Sequence, residues 1–240
     1  MFPIRLAHAG VGVFTLFSCC LGHAAMRPEI PGPTAVATNA DANYCFARVR
    51  GLDPGRLPPA YLVLQLRVKV SYRNAGVRPL ILPLERTRTV YTGFRPTALS
   101  VFHAGLIHQE GDIVGQGFKP MKNLPADVSP ENPVDPKNDV FTIIPAGVGE
   151  MTPPLLEDIT LPVNRTALFR HYPDLRGHKV FIRLEFVHRE LSTSLATDLS
   201  DRWSRFGVPW TGTLTTNTFE IDVPAHPQAT ACKDNYSTVR

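Results

Sequence analysis

The sequence predicts an all-β fold: an immunoglobulin-like antiparallel β-sandwich with one inserted helix and one long Pro-rich loop. Apolar residues recur at every second position over several segments, and only one stretch follows a helical period. Turn residues punctuate those segments, with 23 Pro and 17 Gly among 240 residues. Many short alternating strands with frequent breakers are the pattern of two packed antiparallel sheets.

Residues 61–72 (YLVLQLRVKVSY) alternate most strictly. Leu62, Leu64, Leu66, Val68, Val70 and Tyr72 share one face, and Gln65, Arg67, Lys69, Ser71 and Arg73 share the other. Twelve extended residues reach about 40 Å at roughly 3.4 Å each, the length of a central or curling strand. Residues 78–84 (RPLILPL) carry Pro79 and Pro83, which predicts an edge strand or one that changes sheets. Segment 87–93 (TRTVYTG) is β-rich, 98–114 holds one or two strands, and 138–145 (NDVFTIIP) and 155–163 follow. In 177–188 (GHKVFIRLEFVH), Val180, Ile182, Leu184 and Phe186 take one side, and His188 continues their parity into the core edge. Its outer Arg183 and Glu185 suggest a mixed-charge neighbour for the 61–72 strand. The last strand is expected at 213–223 (TLTTNTFEIDV), with Phe219, Ile221 and Val223 inward.

Leu195, Leu199 and Trp203 recur at i+4, which predicts a helix over 192–206 between the last two strands. Ser192 or Thr193 is the candidate cap, and Gly207 and Pro209 stop it. Asp198 and Arg202 are an i, i+4 pair, and Arg202 and Arg205 suit the negative end of the helix dipole. A single helical turn is expected at 164–172. Residues 115–138 lack any period and hold Pro120, Pro125, Pro130, Pro133 and Pro136, which makes them a long loop within one domain rather than a linker.

The first two dozen residues read as an export signal: Arg5, then an apolar run too short to span a bilayer, then small residues before a cut after Ala24. A lipid anchor at Cys19 is the rival reading, though Phe17 is bulky for a lipobox. Loss of residues 1–24 removes one cation and leaves 216 residues, with 24 Lys and Arg against 21 Asp and Glu. So slight a positive balance gives no basis for nucleic-acid binding. Residues 25–43 read as a flexible leader, 44–225 as one β-sandwich domain, and 226–240 as a tail. No second apolar run is long enough for a membrane span. The remaining cysteines, Cys45 and Cys232, are expected to pair in an oxidising secreted or periplasmic setting and tie the tail back.

Three phrases, VKVSYRNAGVRPLILP (68–83), VFTIIPAG (140–147) and GTLTTNTFEIDVP (212–224), resemble secreted bacterial immunoglobulin-like sandwich proteins. The resemblance implies a sandwich over most of 44–224. It carries no function with it, and the 115–138 excursion and the 192–206 helix depart from the pattern.

Chemistry-bearing motifs are sparse. There is no Gly-x-Ser-x-Gly, no His-Glu-x-x-His and no phosphate loop, and no cofactor is implied. His103, His108, Glu110 and Asp112 flank a turn and form a candidate divalent-metal set, against the plainer account of a polar hairpin end. Asp135, Asn138 and Asp139 place oxygen ligands in one loop without the spacing of a calcium hand. Asn164 and Asn235 head glycosylation sequons. Trp210 lies in a turn-like connection, where its ring either meets a sugar or peptide or plugs the end of the core. The expectation is a secreted, non-enzymatic protein with a binding or envelope-associated role toward a protein or carbohydrate. An inhibitor or adaptor of an extracellular enzyme, using 115–138 as its contact, is one alternative. A metal-dependent protein built on His103 and His108 is the other.

Overall fold

A computed structural model describes residues 32–47, 61–102, 119–135, 140–147, 155–165, 170 and 172–232. The export segment, Cys19, and the set His103, His108, Glu110 and Asp112 lie outside the described residues, as do Asn138, Asp139, Asn235 and most of 164–172. In chain order the elements are β1 (Thr34–Ala47), β2 (Tyr61–Arg73), β3 (Leu80–Pro83), β4 (Arg86–Gly93), β5 (Ser100–Phe102), β6 (Phe141–Ile144) and β7 (Leu155–Pro162). They continue with β8 (Lys179–His188), α1 (Thr193–Arg202), β9 (Val208–Pro209), β10 (Thr213–Thr215), β11 (Phe219–Asp222) and β12 (Thr230–Ala231).

The described residues are mostly β, with one short helix and three sheets. The first sheet runs β12-β1-β2-β7, and the second β10-β8-β4-β5 with β11 also on β8. Inner faces of both contribute to one cluster: Leu64, Leu66, Val68, Val70 and Ile159 from the first, Val90, Val180, Ile182, Leu184 and Phe186 from the second. The period-two pattern of 61–72 therefore maps onto burial, with Leu62 through Tyr72 inward at alternate positions. Each such side chain contributes about 1.5–3 kcal/mol of apolar transfer. The third sheet, β6-β3-β9, presents Leu80, Leu82 and Ile144 to that core and turns Ile81 the other way.

Several expectations need correction. β1 begins at Thr34 and pairs with β2 along its length, so residues 34–43 are strand and not leader. Their alternation is muted because small Ala35 and Ala37 supply the buried side. β2 lies between β1 and β7, whereas β8 belongs to the opposite sheet. Its outer Arg67 instead sits between Asp41 and Asp158, bonding Asp158 at 2.9 Å. β3 is central rather than an edge. Its prolines lack N–H donors, yet Pro79 and Pro83 still use their carbonyls, accepting from Val208 N–H and His188 Nδ1–H. Two pairings are parallel, β1 with β12 and β3 with β9.

The last strand is broken by a bulge. There Thr216 bridges Ala35 of the other sheet and stays bonded to Leu184 of β8, its N–H donating to Leu184 O at 2.9 Å and its Oγ1 accepting the Leu184 N–H at 3.0 Å. Next to it Asn217 Oδ1 accepts the Ala37 N–H at 2.7 Å. The two sheets are thereby joined along β1.

Cys45 and Cys232 are disulfide-bonded, as expected, with Cα atoms 4.9 Å apart. The bond sits against Ala47, Tyr61 and Val63 and fixes β12 beside β1. Among the described residues no helix is long and apolar enough to cross a membrane.

Candidate functional site

The helix and the Pro-rich loop together build a second cluster outside the two-sheet core. Ser192 caps α1, its Oγ accepting the Leu195 N–H at 3.3 Å. Asp198 and Arg202 pair at 2.9 Å, as their spacing predicted. Leu195, Leu199 and Trp203 pack with Ile81 and Phe141 of the third sheet and with Met121 and Val128 of the loop. The helix thus covers the third sheet, and the loop completes its apolar surroundings. Trp203 is fully buried and its Nε1–H donates to Pro130 O at 2.9 Å, while Arg205 donates to Glu131 O at 3.1 Å. Residues 119–135 are therefore anchored at both ends, since Met121 also pairs with Glu190 and Ser192 through its backbone. Gly207 is required where this unit rejoins the sheet. A Cβ there would lie 2.6 Å from Pro79 O, the acceptor of the first β9 hydrogen bond.

Between loop and helix lies an open groove of about 350 Å³, lined by Lys122, Asn123, Leu124, Ser194, Leu195, Asp198 and Arg202. Its floor is aliphatic and its rim carries charges of both signs. Such a lining suits a polar peptide segment or a short side-chain array better than a flat apolar ligand.

A different concentration of chemistry lies at one end of the two-sheet interior. Parity places Arg86 and Arg88 of β4 inward, opposite His188 and Phe186, and Glu157 of β7 inward opposite Val68. Glu157 bonds both guanidiniums: Arg86 through Oε1, and Arg88 through Oε2 at 2.9 Å. Arg88 also donates to Asp158 O at 3.0 Å, and Arg86 to Leu84 O at 3.0 Å. The three side chains are only 17%, 9% and 13% exposed, which makes this a bridge between sheets of the buried kind.

His188 and Tyr72 lie beside it, both fully buried, with ring centroids 5.5 Å apart. His188 Nδ1–H donates to Pro83 O at 2.7 Å. Because a carbonyl only accepts, the neutral ring carries its proton on Nδ1 and leaves Nε2 as an acceptor. That Nε2 and the Tyr72 hydroxyl have no protein partner. Burial pushes the His188 pKa down, the Pro83 bond pulls it up, Arg86 pushes it down again, and the outcome is about 4. Burial lifts Tyr72 to about 12, with Arg86 opposing and Glu157 assisting.

The expected sites are distributed unevenly. Trp210 is half-buried on the main core, 6.2 Å from the His188 ring, and its indole fits between Gly32 and Gly212. A Cβ at either glycine would come within 3.2 Å of the indole, so the ring occupies a slot made by their missing side chains. His188 is the core-edge residue its parity predicted. Asn164 accepts the Leu62 N–H through Oδ1 at 2.9 Å, a structural role. Among the described residues no group of three or more His, Cys, Asp or Glu is placed to hold a metal ion. Sequence reasoning missed Arg86, Arg88 and Glu157. The signal was available: Arg86 and Arg88 share the parity of Val90, and Glu157 shares that of Ile159 and Leu161.

Comparison of the chain with protein-family models, with curated proteins and with solved structures finds no match.

Proposed function

We propose that this chain is an extracytoplasmic, non-enzymatic binding protein on an immunoglobulin-like sandwich, with the helix and Pro-rich segment as its contact element. The observation that carries the reading is the anchored loop–helix unit and its open, mixed-charge groove. A two-sheet fold has no need of this unit to fill its core, because the main cluster is complete without Leu195, Leu199 or Trp203. Rigid loops on a β scaffold are where recognition concentrates. The Cys45–Cys232 bond favours an oxidising compartment, in keeping with the export segment read from the sequence.

An adaptor or inhibitor of a secreted protein is the form of binding that the groove fits best, since its lining offers hydrogen-bonding and charged groups to a peptide backbone. Excising the loop is a poor test, because Met121 and Val128 are buried and Pro130 O holds Trp203. Charge reversal on the rim is cleaner. With Lys122→Glu and Arg202→Glu combined, a partner that co-purifies with the wild-type chain is lost while the thermal transition stays within a few degrees. Recovery of the same partner in the same amount sinks the assignment of this groove.

A further inference from the structure

We propose that the seam between β4 and β7 is an acid-operated latch, shut while the His188 ring is neutral and released when that ring takes up a second proton. The seam is the Arg86–Glu157–Arg88 bridge already described, together with the Arg88 bond to Asp158 O. Among the described residues the bonds from this part of β4 to β7 start from the guanidiniums of Arg86 and Arg88, which reach the Glu157 carboxylate and the Asp158 carbonyl.

The groups that face His188 decide what a second proton does. From β4, Arg86 is its direct partner in register, and Arg88 stands one pair further along. From β2 comes the Tyr72 ring, from β3 only the Pro83 carbonyl, and from the connection after β9 the uncharged Trp210. From β7 the inward carboxylate is Glu157, already shared by two guanidiniums, whereas Asp158 faces outward to Arg67. Arg189, next along the strand, is engaged with Glu85 on the exposed side. A proton on Nε2 therefore creates a buried imidazolium that meets a cation across the strand pair and, among the described residues, has no carboxylate of its own. Such a charge is expensive unless it is paired. It is relieved by Arg86 leaving Glu157 for solvent, or by the His188 ring moving outward and displacing Trp210. Either movement opens the same end of the fold.

The direction in pH follows from the burial of the ring. His188 titrates near 4 when folded, against about 6.5 for an unperturbed histidine. Between those values the opened form binds more protons, so falling pH favours opening. On the opposite side of the fold, the groups joining β1 to the bulge are backbone, Thr216 and Asn217, none of which titrates in this range.

Hydrogen exchange of the full chain at pH 7 and pH 4.5, expressed as protection factors to remove the intrinsic pH dependence, tests the latch. The wild type should lose tenfold or more protection at 155–159 and 185–189, with Ala37 and Thr216 unchanged. His188→Gln, whose amide N–H can keep the bond to Pro83 O, should show no such loss. An even loss at both sides, no loss, or the same loss in His188→Gln overturns the proposal. If His188→Gln does not fold, the wild-type pattern alone decides between a local and a uniform loss.

Discussion

Along β1 the two sheets are joined through backbone and one neutral side chain, Ala35 bridging Thr216 and Ala37 N–H meeting Asn217 Oδ1. Along β4 and β7 they are joined through two arginines and one glutamate, with a buried histidine and tyrosine behind them. Both seams close the same core, but the first relies on groups whose charge is constant and the second on a balance of charges. A fold assembled this way is expected to be insensitive to acid on one side and sensitive on the other. The disulfide adds to the asymmetry, since it fastens the tail to β1 and leaves β7 without a covalent tie.

The largest expected effect lies on the constant side. Replacing Cys45 and Cys232 together by serine should lower stability by roughly 5 kcal/mol on the chain-entropy account for so long a loop. The loss in urea unfolding should be the same at pH 7 and pH 4.5, because no titrating group is involved. Next comes the charged seam, where Glu157→Gln strips the anion from two guanidiniums. A cost of about 3 kcal/mol at pH 7 is expected from breaking a buried ion pair on one side. A loss under 1 kcal/mol would mean that water already screens the bridge, and the contrast between seams would collapse. Thr216→Val is expected to cost roughly 1–2 kcal/mol, because Leu184 N–H loses its acceptor, and that cost should not vary with pH. The smallest effect belongs to Lys122→Glu with Arg202→Glu on the groove rim, within about 0.5 kcal/mol in thermal or urea unfolding, as for most exposed positions.

The central strand of each large sheet could be read from sequence because one of its faces is wetter than the other. Leu62 to Tyr72 of β2 and Val180 to His188 of β8 show this directly. The helix was legible for the same reason at another period, with its cap at Ser192 and its pair at Asp198 and Arg202. β1 was obscured because alanines do the inward packing and give little contrast with polar neighbours. Pairing was not legible: β2 and β8 look alike in pattern, yet a shared pattern reports a shared core and not a shared ladder. The break between β10 and β11 escaped because Thr216 substitutes its hydroxyl for a backbone group, which the alternation of TLTTNTFEIDV conceals. The charged seam escaped because arginine and glutamate read as outer-face residues, although their parity with Val90 and Ile159 pointed inward. The outer cations of β2 carry less meaning than their number suggests. Arg67 and Asp158 are both more than half exposed, and such pairs contribute at most about 1 kcal/mol.

Urea unfolding of the wild type and of His188→Gln, in steps from pH 7 to pH 4, tests the contrast most directly. The wild type should lose about 3 kcal/mol as the pH falls from about 6.5 to 4, the linkage expected for one histidine held near 4 in the folded state. The loss should level off below that, as far as His188 is concerned, and most of it should be missing in His188→Gln. Parallel stability curves for the two proteins across that range would contradict the account.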